Sequence, residues 1–350
     1  KIDVDKADLT CALCAYCLAT SSGAKDVLRH FLRIRGEAMA LEFEEDEEVP
    51  KKKQKGESIL RALGLFTGTL LDTQALVPRK LSDALLALKG KPLLKDETIR
   101  QLEGLKLDVS ERWFGDEIIF FTPYIRHDEL DGSQAVEMLR GWAKRASEVL
   151  LGGFEKTLGR IMEFKTVVEL RTNIYEAWIS GGGKAKGYDP SAMLDGLRKV
   201  VNDRLVYLLE ARVAKLHLVG TEIEAVLDSW ASGIVKTQKS LWNDELIEME
   251  LAGGAGDFKQ AIVSSVHGRN NSVSRVIKGY ETWRYLIDEL FTSIDQLRSK
   301  RWDDDIDSLE DDETLENRNN LLSKEDPRML QAHMDKNLEQ AYKALHEKIG

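Results

Sequence analysis

The chain has 350 residues, 43% hydrophobic and 31% charged, with a net charge of −10. That is long enough for two or three domains and apolar enough to bury a core. The acidic balance argues against a dedicated nucleic-acid binder, which carries a basic face, and six prolines with 7% aromatic residues favour helices over sheets.

Apolar residues recur at helical spacing along most of the chain. A first helix is expected over Leu9–Leu18, carrying Cys11, Cys14 and Cys17. These thiols read as small buried hydrophobes in a reducing compartment. A disulfide framework would need more cysteines, spread out, and zinc would need a fourth ligand that His30 is too distant to supply. After Ser21, Ser22 and Gly23, a second helix buries Val27, Leu28, Phe31, Leu32 and Ile34 and runs into the acidic block Glu44–Glu48. The basic run Lys51, Lys52, Lys53, Gln54, Lys55 cancels that block and makes a solvated junction. Ile59, Leu63, Phe66 and Leu70 share the face of a third helix, which Pro78 kinks or restarts for want of an amide donor.

Leu81, Leu85 and Leu88 carry the stripe to a stop at Gly90 and Pro92. Another helix is expected from Asp96 through Leu102, Leu105 and Val109, followed by an apolar segment from Trp113 to Tyr124 that ends near Pro123. The longest helix is expected over Ser133–Ser180, roughly 70 Å if unbroken, with Gly152 and Gly153 as its bend. The glycine run Gly181–Gly183 opens a flexible loop to Pro190. A second long helix follows through Leu194, Leu205, Leu216 and Val226, so that the two form a hairpin. Beyond Gly253, Gly254 and Gly256, the residues Val273, Val276, Tyr280, Trp283, Ile287, Leu290, Ile294 and Leu297 step alternately by three and four. That is a heptad seam, which packs within the chain or against another subunit; Tyr280 and Trp283 are bulky for a two-stranded coil and favour an internal bundle. The acidic stretch Asp303–Asn320 reads as a solvated loop before a last helix, Pro327–Ile349.

The expected fold is all-α, with elongated helical bundles stacked into a rod and three regions: 1–130, 131–252 and 253–350. No 18-residue apolar run or signal peptide is visible, and a chain that begins at Lys1 reads as part of a longer protein.

Catalytic motifs were weighed against bland readings. The Gly181–Gly187 loop lacks the Ser or Thr that should follow Lys184, and it follows a helix rather than a strand, so it reads as a linker. Asp303, Asp304 and Asp307 match the DDxxD spacing with which all-helical isoprenoid synthases hold magnesium and a diphosphate. The opposing motif fails at Asn202–Glu210 and Asn243–Leu251, where Val206 and Ile247 replace a hydroxyl residue. His30, His217 and His267 read as surface or capping residues, and Arg269 with Ser272 as a weak kinase-like spacing in a loop. No catalytic, cofactor or metal residue is assigned, and the chain is expected not to be an enzyme.

Several extended segments resemble a known family. Ala24–Leu41 (AKDVLRHFLRIRGEAMAL) is similar to the "LRHFLxxR" segment of the first subunit of the conserved oligomeric Golgi complex. The likeness continues through Leu76–Trp113, through Phe120–Leu130 (FFTPYIRHDEL) and through Leu170–Ser180 (LRTNIYEAWIS), and it is greatest to fungal forms. It covers most of Ala24 to about Trp230 and, more faintly, extends to Leu297. The resemblance implies a scaffold in a multisubunit vesicle tether that organises other subunits for intra-Golgi retrograde transport. The implied partners are those subunits and, through the complex, SNAREs, Rab GTPases and coat proteins. The implied location is the cytosolic face of the Golgi membrane, held peripherally, and the cytoplasm. The family's N-terminal assembly coil is expected to be missing or truncated here, and no binding residue is carried over. Related tethers, exocyst-like or endosome-to-Golgi, share the architecture.

Overall fold

The computed structural model describes residues 4–44, 56–77, 79–101, 104, 106–122, 124, 130–182, 190–231, 259, 271–302 and 312–349. Their regular structure is helical throughout, and the fold is all-α. The chain divides into two compact units, Lys1–Ile161 with Glu169–Val201, and Met162–Val168 with Asn202–Gly350.

In the first unit, α1 (Lys6–Thr20), α2 (Ala24–Leu41), α3 (Glu57–Leu76), α4 (Arg79–Lys89) and α8 (Gly132–Gly159) surround one core. Because α8 packs on α2 and α3, residues before and after position 130 share that core. The innermost helix is α3, with Ile59, Ala62, Leu63, Phe66 and Leu70 shut off from solvent. Each large apolar side chain so buried contributes about 1.5–3 kcal/mol. Thr69 and Thr73 sit among them because their hydroxyls donate to the carbonyls of Leu65 (2.6 Å) and Thr69 (2.8 Å). The Phe66 ring stacks on Trp142 of α8, centroids 5.5 Å apart, and tilts against Trp178 at 6.2 Å. Trp178 belongs to α9 (Phe164–Ser180). The helix ends at Leu76 and restarts at Arg79, and Pro78 itself lies outside the described residues.

Two glycines close this core. Gly56 caps α3 at φ 107°, and a Cβ there would also strike Leu170. Gly153, expected together with Gly152 as the bend of a long helix, lies within the continuous α8. Its bare backbone seats the Phe43 ring, which a Cβ would overlap, and Phe43 meets Phe154 edge-on at 6.0 Å. Gly152 faces open space. Gly152→Ala should therefore stabilise the protein by about 0.8–1 kcal/mol through helix propensity. Gly153→Ala should destabilise it by about 1–3 kcal/mol through overpacking. Paired denaturant titrations check the opposite signs.

The expected Ser133–Ser180 helix is two helices, parted at residues 160–163. Gly159 ends α8, and Glu163 opens α9 by accepting from the Thr166 hydroxyl at 2.9 Å. The expected second long helix is likewise divided into α10 (Pro190–Val213) and α11 (Leu216–Ala231). Here the Ala214 carbonyl accepts the His217 amide at 3.1 Å and lies 2.7 Å from His217 Nδ1. The loop 183–189 lies outside the described residues, as do Glu45–Lys55 and the glycines at 253, 254 and 256. Ile34 was expected inside but is exposed, because it stands about a quarter-turn from the middle of the buried stripe Val27, Leu28, Phe31, Leu32, Arg35 and Met39.

The second unit joins part of α10 and α11 to α12 (Asn271–Ser299), α13 (Asp312–Asn319) and α14 (Asp326–Ile349). The heptad seam on α12 packs within the chain, against α11 and α14. Trp283, Ile287, Leu290, Ile294 and Leu297 are buried, and Val273, Val276 and Tyr280 are half-buried. Trp283 is accepted internally because its indole N–H donates to the Arg212 carbonyl at 3.1 Å. The stretch expected to be a loop up to Asn320 is helical from Asp312 and continues through a π-helical turn, Asn320–Glu325. That turn is held by the Ser323 hydroxyl donating to Lys300 O (2.6 Å) and by the Trp302 amide donating to Asn319 Oδ1 (2.9 Å).

Tyr342 on α14 lies 3.2 Å from the Tyr280 hydroxyl and meets Trp283 edge-on. Burial, then the bond to Tyr280, pushes its phenol up to about 12. The native state thus holds this proton more tightly than the unfolded chain, whose tyrosine titrates near ~10. The stabilisation is complete below about pH 10 and should fade as pH rises towards about 12. Thermal melts of Tyr342→Phe should show a shallower alkaline decline than the parent.

Candidate interaction surface

Between α4 and α8 the expected helix through Val109 does not form as one element. The chain instead makes α5 (Glu97–Arg100), α6 (Leu107–Ser110), a 3₁₀ turn at Glu111–Trp113, and α7 (Asp116–Ile119). Gly104, a left-handed Lys106 (φ 44°) and Gly115 interrupt it, and pieces this short cannot bury an apolar face. Leu102 and Leu105 lie outside the described residues. The consequence is a run of exposed apolar side chains: Val109, Trp113, Ile118, Phe120, Phe121 and Tyr124. Trp113 is 85% exposed and Tyr124 73%.

The segment is nonetheless anchored. The Leu93 amide donates to Phe121 O at 3.2 Å, and the Phe120 amide donates to Asp116 O at 2.9 Å. The Lys95 ammonium sits 3.8 Å from the centre of the Phe120 ring. Large apolar side chains held in water cost free energy, and their concentration within one short segment makes it a candidate contact surface. The apolar composition was visible in the sequence from Trp113 to Tyr124; its exposure was not, since a buried helix and an exposed chain of turns share that composition.

Other sequence-derived candidates are dispersed. Asp303, Asp304 and Asp307 lie outside the described residues, as do Asn243–Leu251, His267 and Arg269. Asn202, Val206 and Glu210 follow one another on α10, with Asn202 buried. Ser272 stands in the first turn of α12 rather than in a loop. Cys14 and Cys17 are buried, whereas Cys11 is exposed. A three-residue step turns a helix position by about 60°, which places Cys11 about 120° from the fully buried Cys17. Burial, then the neighbouring Cys11, pushes the Cys14 thiol above its ordinary range, which makes it a poorer nucleophile. His30 stacks on Tyr16 at 4.1 Å. Among the described residues, no three His, Cys, Asp or Glu side chains gather as a metal site, and no helix is long and apolar enough to cross a membrane. No family model, curated protein or solved structure matches the chain.

Proposed function

We propose that this chain is a non-catalytic scaffold subunit of a Golgi vesicle-tethering complex that organises sibling subunits for intra-Golgi retrograde transport. The observation that carries the reading is the anchored, solvent-facing apolar segment Val109–Tyr124. Val109, Trp113, Phe120, Phe121 and Tyr124 fall inside the stretches that resemble the first subunit of the conserved oligomeric Golgi complex. An assembly subunit works by presenting apolar side chains to siblings, with exposed aromatics as the dominant contacts. The all-α architecture is compatible with that role, and the chain acts through what it holds.

Co-purification tests it. The full-length protein should recover sibling tether subunits, and Trp113→Asp with Phe121→Asp should abolish recovery while leaving the melting temperature unchanged. Surface changes of this kind cost at most about 0.5 kcal/mol. A monodisperse monomer that recovers no sibling subunit overturns the assignment. Recovery of exocyst or endosome-to-Golgi subunits instead would reassign the chain to a related tether.

A further inference from the structure

A long open groove runs between α2 and α8 in the first unit, with a volume of about 840 Å³. Its floor is apolar, formed by Leu32, Met39, Trp142 and Ala146. Lys25, Arg29 and Arg33 step by four along the α2 wall, and Arg145 stands on the α8 wall. Two carboxylates, Glu37 and Glu137, also line it, so four cations face two anions in a chain of net charge −10. Arg29 is paired with Asp26 at 3.1 Å and Arg33 with Glu37 at 2.9 Å. Lys25 and Arg145 have no acidic partner among the described residues.

The floor also carries an unmet donor. Trp142 is 94% buried (6% exposed), and its indole N–H, beside the bare backbone of Gly36, finds no acceptor among the described residues. From Lys25 to Met39 the wall is about 21 Å long, the length of a four-turn helix. An apolar floor beside the mainly cationic α2 wall, with Arg145 across it on α8, is the complement of an amphipathic helix with acidic flanks.

We propose that this groove binds one amphipathic α-helix of a partner protein, about four turns long, its apolar stripe seated on Leu32 and Trp142 and its flanking carboxylates on Lys25 and Arg145. The inference does not depend on the scaffold reading and concerns a different surface. Gly141 provides a clean test, because a Cβ there meets nothing within 4 Å. A leucine at that position fills the groove without disturbing the core, and it should hold or raise the melting temperature because glycine is a poor helix former.

The probe is a fluorescein-labelled synthetic helix of about fifteen residues with leucines at helical spacing and glutamates on both flanks, read by fluorescence anisotropy against the full chain. A lysine-flanked version serves as control. The acidic peptide should bind at least about tenfold more tightly than the lysine version, and raised salt should shrink the difference. Gly141→Leu should weaken binding by about tenfold or more, and Lys25→Glu with Arg145→Glu should reverse the preference. Failure of both peptides to bind, or full affinity in a well-folded Gly141→Leu protein, overturns the proposal. Binding instead to vesicles of phosphatidylcholine and phosphatidylserine, lost in Gly141→Leu, would assign the groove to a lipid surface and equally overturn it.

Discussion

Replacing Leu290 with aspartate should unfold the second unit. Leu290 lies at the centre of the α12 seam and is 1% exposed, with Ile287 and Ile294 buried on either side and α11 and α14 packed against the helix. The substitution removes a fully buried aliphatic group, worth about 2–5 kcal/mol with its cavity. It also buries a carboxylate within an apolar seam, a cost that lifts the total above about 5 kcal/mol. Whole-domain stabilities run from about 5 to 15 kcal/mol, so the loss is comparable with the unit's entire margin. Circular dichroism and near-ultraviolet melts should lose the transition of the second unit while that of the first persists. Wild-type stability with a lost partner would instead mean that the seam serves an intersubunit contact.

The second large effect is expected in the first unit, at the ion pair that joins α2 to α3. Arg35 Nη2 donates to Asp72 Oδ2 at 3.1 Å, and the two side chains are only 10% and 13% exposed. The guanidinium also lies 5.1 Å from the centre of the Phe31 ring. Asp72→Ala leaves that cation desolvated and deprived of its carboxylate, which should cost about 3–5 kcal/mol. Replacing both partners with leucine removes the stranded charge and should recover most of the loss. Urea titrations of the single and double variants decide between these outcomes. A single variant within about 0.5 kcal/mol of the parent would show the pair to be solvated.

Much of the architecture was legible before any coordinates. The stripe Ile59, Leu63, Phe66 and Leu70 named the innermost helix, and the seam from Trp283 to Leu297 named the buried face of α12. The errors share one cause. Leu158, Ile161, Phe164 and Val168 keep helical spacing across the break at 160–163, because Ile161 and Phe164 are buried whether or not the backbone between them is helical. Leu208 and Leu216 do the same across Ala214–Lys215. Apolar periodicity reports which side chains are buried, not whether hydrogen bonds run unbroken between them. At Gly153 the lack of a side chain makes room for Phe43, from a distant part of the sequence, which local spacing does not show.

The candidate surfaces were less legible. The residues Trp113 to Tyr124 could be recognised as apolar, but not that a chain of short turns holds Trp113, Ile118, Phe120, Phe121 and Tyr124 in solvent. The groove of α2 and α8 could not be read at all. Its cations at 25, 29 and 33 look like an ordinary solvated face until α8 places Trp142 and Arg145 opposite them, more than a hundred positions later.

By itself, then, the sequence determined the all-α class and the apolar face of most long helices, and it favoured an internal seam because Tyr280 and Trp283 are bulky for a two-stranded coil. These follow from local spacing and side-chain size, which need no knowledge of distant residues. Only the tertiary structure decided where helices break, which apolar residues stay in water and which two helices wall a groove. Those outcomes depend on contacts between segments far apart in the chain, and no local pattern encodes the identity of a distant neighbour.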